Sequence, residues 1–170
     1  HGIRNEIAAA DPNLYYTPDP GVGNGGLAFV FPGSGNHFPG MGREAGLRWP
    51  QVLERLDAEN GYLAAQFADG RFWREDSVTP SDHHDLIFGQ VWLGTFISDV
   101  IRSFGIEPDA ILGYSLGETA GLFATRSWTD RDGILQRIRE SRLFTHELAG
   151  PCEAARRLWG IAREEPIHWQ

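Results

Sequence analysis

The residues best suited to covalent chemistry are Gly113-Tyr114-Ser115-Leu116-Gly117. A serine between two glycines, where an apolar run passes into a helical pattern, has the form of a nucleophile elbow, a sharp turn that holds the hydroxyl out toward a carbonyl. Glycine is needed on both sides because a side chain there would obstruct the bend or the approaching substrate. The helix that follows turns its free N–H groups and positive dipole end toward the serine oxygen, where an oxyanion would be stabilised. A chain with 21 glycines can also produce this spacing without chemistry, with Ser115 doing no more than capping the helix.

These residues need elements to hold them. Leu27 to Phe31 and Ala110 to Gly113 are short continuous apolar runs, each entering a glycine-containing loop, and such runs read as buried parallel strands. Loops leaving parallel strands emerge at one carboxyl edge, so the loop after Phe31 and the loop around Ser115 can face one substrate. Between the strands, apolar residues recur at helical spacing from Gln51 to Phe67, with a break near Asn60-Gly61. A longer apolar helix spans Asp85 to Phe104, with Ser81 as its N-cap and Gly105 as its end. Helix resumes from Leu116 to Ala124, in an arginine-rich stretch from Asp130 to Phe144, and from Pro151 to Trp159. Strand, helix and strand in this order form a crossover unit, and the fold class is α/β. Residues 1–26, with Asp11-Pro12, Pro18-Asp19-Pro20 and a run of glycines, read as linker.

Composition narrows the function. With a formal net charge of −8 the chain is a poor match for nucleic acid, whose recognition depends on cationic surface. All 15 basic residues are arginine, so a Walker phosphate loop and lysine Schiff-base chemistry are excluded within this sequence. Cys152 is the only cysteine, which rules out an internal disulfide and fits a cytoplasmic protein. No apolar run approaches the roughly 20 residues that cross a bilayer, and no membrane association is expected. The opening at His1, with no secretory leader, reads as a piece of a longer polypeptide.

The loop Phe31-Pro32-Gly33-Ser34-Gly35-Asn36-His37-Phe38-Pro39-Gly40-Met41-Gly42 and the segment Gly113-Tyr114-Ser115-Leu116-Gly117-Glu118, taken together, resemble the malonyl-CoA:acyl carrier protein transacylase family, the acyltransferase domains of fatty acid and polyketide synthases. The resemblance runs from Leu27 to about Phe144 and is closest to the polyunsaturated fatty acid synthase-like and polyketide synthase-like multienzymes. It implies the first part of the large subdomain, an α/β-hydrolase-like parallel sheet, over residues 27–128. The start of a smaller inserted subdomain is implied over 129–170. Ser115 would be the nucleophile, and the backbone N–H groups of Ser34 and Leu116 would form the oxyanion hole. The family's glutamine is Ser34 here, a change that a backbone donor survives, and the histidine usual before the nucleophile is Tyr114. The family's catalytic histidine would lie beyond residue 170, so this stretch alone should turn over poorly.

The resemblance further implies acyl-CoA as substrate, an acyl carrier protein bearing phosphopantetheine as acceptor, neighbouring domains such as a ketosynthase, and no metal or redox cofactor. A malonyl group carries a free carboxylate that a guanidinium binds through two parallel hydrogen bonds. The family's arginine for this role falls on Arg142 once a small insertion is allowed, with Arg139 as its rival and a solvated basic face as the alternative to both. Of the six histidines, His37 alone can be placed near Ser115, and a solvated loop histidine is the favoured reading of it. His83 and His84 point in different directions on a helix and make no metal pair. Glu118 reads as an acid that compensates the helix dipole. An α/β-hydrolase-type thioesterase or esterase shares the elbow, and a noncatalytic structural piece of a multienzyme shares the fold.

Overall fold

The structure, a computed structural model, describes residues 25–60 and 83–167, with only the backbone described at 83–86. Residues 1–24 of the linker expected over 1–26, the Ser81 cap, the helical pattern from 61 to 67, and His1 and His168 lie outside these residues. So do the side chains of His83 and His84.

Two strands, β1 (Ala28–Phe31) and β2 (Ala110–Gly113), pair in parallel with Phe31 opposite Gly113. Their register is set at the entry end, where the Leu27 N–H donates to Asp109 Oδ2 and the Asp109 N–H donates to Leu27 O, both at 2.8 Å. The chain between them forms α1 (Arg43–Arg48), α2 (Pro50–Glu59) and the 21-residue α3 (His83–Ser103). Helix α4 (Leu116–Ala124) follows β2, and α5 (Arg131–Glu140), one π-helical turn (Leu143–Glu147) and α6 (Glu153–Trp159) complete the described chain.

Strand alternation sends Phe29, Phe31 and Ile111 to one face, where they meet Ala120 and Ala124 of α4. Small residues let these layers approach closely. A Cβ added at Gly121 would lie 2.8 Å from Ile111 Cγ2, and one at Gly94 of α3 would lie 3.2 Å from the Ala120 Cβ. The opposite face carries the cross-strand pair Val30 and Leu112, which are 69% and 59% exposed.

The larger core joins α2 to α3. Val52 and Leu56 pack with Trp92, Leu93, Phe96 and Val100, residues that recur along one side of the long helix. Trp92 and Phe96, one turn apart, stack with ring centroids 5.0 Å apart. Phe96 is fully buried, so Phe96→Ala should lower unfolding free energy by about 3–5 kcal/mol, read from denaturant titration. A loss below about 1 kcal/mol would place this cluster outside the stabilising core.

Charged side chains tie the far end of α4 to this core. Arg126 pairs with both carboxylate oxygens of Asp99, at 3.0 and 2.6 Å, and with both of Glu59, at 3.1 Å. The hydrogen bonds to Asp99 raise its pKa above the ordinary arginine value. Arg131 is buried, donates to Thr95 Oγ1 at 2.8 Å and lies 4.7 Å from the Phe123 ring centroid. Burial first, then the neighbouring Arg126 charge, pushes its pKa down to about 10, so it remains a cation at neutral pH.

Several boundaries differ from expectation. The arginine-rich helix stops at Glu140 rather than Phe144, because Ser141 adopts extended backbone and its Oγ accepts from the Leu143 N–H at 3.0 Å. A serine that offers the backbone this local bond competes with helix continuation. Leu135 is the one buried apolar residue of α5, so packing does little to extend it. Helix α1 is unheralded in the sequence, since six residues are too few to display a period. Helix α2 begins at Pro50, a residue suited to the first helical position because it has no N–H to leave unpaired.

Candidate active site

Strand pairing continues one residue past β2, with the Tyr114 N–H donating to Phe31 O at 3.1 Å. The chain then reverses. Ser115 holds φ 54° and ψ −116°, one of three described non-glycine residues with positive φ. Such backbone costs about 1–3 kcal/mol and persists only where the surroundings enforce it. Helix α4 starts at once, with Gly117 N–H donating to Tyr114 O at 2.9 Å and Glu118 N–H to Ser115 O at 3.0 Å.

Both glycines of the motif are sterically required. A Cβ at Gly113 would overlap the Glu118 backbone, and one at Gly117 would overlap the Phe31 carbonyl. The two absent side chains therefore let the start of α4 sit directly against the ends of both strands. Ser115 occupies the N-cap position, yet its side chain makes no capping bond, so capping does not account for it. Its hydroxyl is exposed, and Leu116, the first helical residue, has an N–H with no intrahelical acceptor. Glu118 stands in the first turn, as expected of an acid at a helix start.

The loop after β1 leans on this elbow. A Cβ at Gly33 would lie 2.8 Å from Tyr114 Cδ1 and 3.2 Å from Tyr114 O. Asn36 Nδ2 donates to Gly33 O at 2.9 Å and closes the turn through Ser34 and Gly35, with Gly35 at φ 94°. The Gln90 side-chain amide of α3 faces the loop, and in the orientation that matches its oxygen to donors it accepts from the N–H groups of His37 at 3.1 Å and Asn36 at 3.2 Å. The structure thus brings Ser115, Leu116 and the Ser34 turn to one carboxyl edge of the sheet.

The arginine candidates come from later in the chain, at the end of α5 and just beyond it. Arg142 pairs with Glu153 at 2.8 Å and its side chain is 60% exposed. Arg139 is exposed near the end of α5. Among the described residues no side chain hydrogen-bonds to Ser115 Oγ, His37 included. Asn36 and Gln90 have structural roles at the site that the sequence did not announce. The one available signal was an amide in the otherwise apolar Ile87–Leu93 stretch.

No protein-family model matches the chain, and no solved structure matches it. Among curated proteins it is similar to polyketide synthases. It is 35% identical over 114 residues to polyketide synthase GfsA of Streptomyces halstedii, a match covering 62% of this chain and 2% of that protein. With polyketide synthase GfsE of the same organism the identity is 34% over 139 residues, covering 77% of this chain and 4% of that protein. With a phenolphthiocerol/phthiocerol polyketide synthase of Mycobacterium tuberculosis it is 26% over 147 residues, covering 84% and 7%. The chain is therefore related to a region of polyketide synthase multienzymes, and it spans a few per cent of their length. No described helix is long and apolar enough to cross a membrane.

Proposed function

We propose that the chain is the nucleophile-bearing part of an acyltransferase domain that moves an acyl group, malonyl by preference, from CoA to an acyl carrier protein. The observation that carries this reading is the backbone of Ser115, strained between a strand and a helix, with an exposed side chain that makes no capping bond. In the first half-reaction Ser115 Oγ attacks the thioester carbonyl, its proton passes to a base, the C–S bond breaks and CoA leaves as the thiol. The phosphopantetheine thiol of the carrier then attacks the serine ester and frees the hydroxyl. The N–H groups of Ser34 and Leu116 receive the negative charge of each tetrahedral intermediate. The base is a histidine supplied from outside these 170 residues. Acyl-CoA is the donor, no metal takes part, and neighbouring synthase domains, a ketosynthase among them, complete the assembly.

Arg142 is the proposed partner of the malonyl carboxylate. Its exposed pair with Glu153 contributes little, so a substrate carboxylate can exchange for it. A charge-assisted hydrogen bond contributes roughly 1.5–3 kcal/mol. In the full-length protein, Arg142→Ala should therefore slow acylation by malonyl-CoA by about tenfold or more and spare acetyl-CoA, which lacks the carboxylate. Arg139→Ala should change both little. Equal losses with both substrates would make Arg142 structural, and a selective loss in Arg139→Ala would move the role there.

A further inference from the structure

Within the acyltransferase reading proposed above, we infer that Gln90 is a positioning residue that holds the Ser34 N–H in place for the oxyanion. The loop from Gly33 to Gly42 contains four glycines, and Gly35, Gly40 and Gly42 have positive φ. Such a chain has many accessible conformations and must be restrained from outside if one N–H is to keep its aim. One side of α3 provides the restraint. Gly94 receives Phe31 at the start of the loop, Leu93 presses on Gly42 at its end, and Gln90 reaches its middle. Residues 90, 93 and 94 lie three and four apart and so share a helix face.

At the middle, the Gln90 amide, assigned with its oxygen toward these donors, accepts two consecutive N–H groups, of Asn36 and His37. Asn36 in turn grips Gly33 O at 2.9 Å. Ser34 is thereby enclosed between two fixed points, and Gly33 is seated against Tyr114, the residue before the nucleophile. The helix bearing Gln90 is firmly set, because Phe88, Val91, Trp92 and Leu93 around it are buried. The partners of Gln90 are the loop N–H groups, and among the described residues no hydrogen bond joins it to Ser115. It acts through the loop.

Gln90→Met keeps length and removes the acceptor; Gln90→Glu keeps an acceptor for both N–H groups. In the full-length protein, Gln90→Met should slow malonyl-CoA acylation of Ser115 by roughly 10–100-fold, in the range for a misaligned or lost oxyanion donor, with KM changed less than about twofold. Amide exchange at Asn36 and His37 should accelerate by about tenfold or more, the measure of a lost local bond, and Gln90→Glu should restore that protection. Unchanged kcat, a change in KM alone, or unchanged exchange in Gln90→Met would overturn the assignment. So would Gln90→Glu exchanging as fast as Gln90→Met, a comparison that stands even where Gln90→Met folds poorly. A wild-type protein that never acylates Ser115 would instead sink the acyltransferase reading, and the exchange data would still decide whether Gln90 pins the loop.

Discussion

Ser115→Ala is expected to lower acyl transfer in the full-length protein by roughly 10⁴-fold or more, the scale seen when a serine nucleophile is removed from a catalytic unit. The fold should be little affected. The hydroxyl is exposed and makes no capping bond, so its removal leaves no buried partner unsatisfied. Alanine has the same steric difficulty as serine at φ 54°, and the strain of the turn is carried over unchanged. Unfolding free energy should therefore move by less than about 1 kcal/mol, as for other substitutions away from packed or bonded groups. Single-turnover transfer from radiolabelled malonyl-CoA to the carrier protein measures the first quantity and urea titration the second. Transfer within tenfold of wild type would place the nucleophile elsewhere.

Gly117→Ala is expected to destabilise the protein by at least about 3 kcal/mol, the upper range for forcing atoms into a packed site. Helix propensity alone predicts the opposite, since alanine is favoured over glycine within a helix by about 1 kcal/mol. The two effects have opposite signs, and sterics should win. The new Cβ would meet the Phe31 carbonyl and the Pro32 oxygen, both backbone atoms of a paired strand end that cannot swing aside. Gly105→Ala is the control. Unlike the helical Gly117 it has positive φ, at 78°, but a Cβ there meets nothing within 4 Å, and the substitution should cost only about 1–2 kcal/mol. Denaturant midpoints of the two variants compare them directly. A Gly117→Ala protein as stable as wild type would mean that α4 does not sit against the strand ends as described.

Much of this arrangement was legible in the residues. Continuous apolar runs marked both strands to within a residue, and the glycine spacing around Ser115 marked the turn, because a parallel strand that enters a helix at once has few ways to bend. The long helix showed itself through Val91, Phe96 and Val100. What stayed hidden was held by tertiary contact. The stop at Glu140 depends on a Ser141 side-chain bond that competes with the helix, and periodicity does not register that competition. Arg131 in a run of arginines looks like any solvated cation, and only the packing of Thr95 and Phe123 makes it a buried one. Gln90 contributes no pattern of its own, since its partners are backbone groups more than fifty residues earlier in the chain. Resemblance alone points to Arg142, and its partner in the structure is Glu153.

The most direct test of the central claim is to expose the full-length protein to malonyl-CoA without a carrier, quench in acid, and map the adduct by peptide mass. Cleavage after arginine releases residues 103–126, which contain Ser103, Tyr114, Ser115, Thr119 and Thr125, and fragmentation separates these positions. The expected result is one malonyl group on Ser115, discharged when carrier protein bearing a phosphopantetheine thiol is added. A malonyl group on any other residue, or a Ser115 ester that the carrier thiol does not discharge, would contradict it.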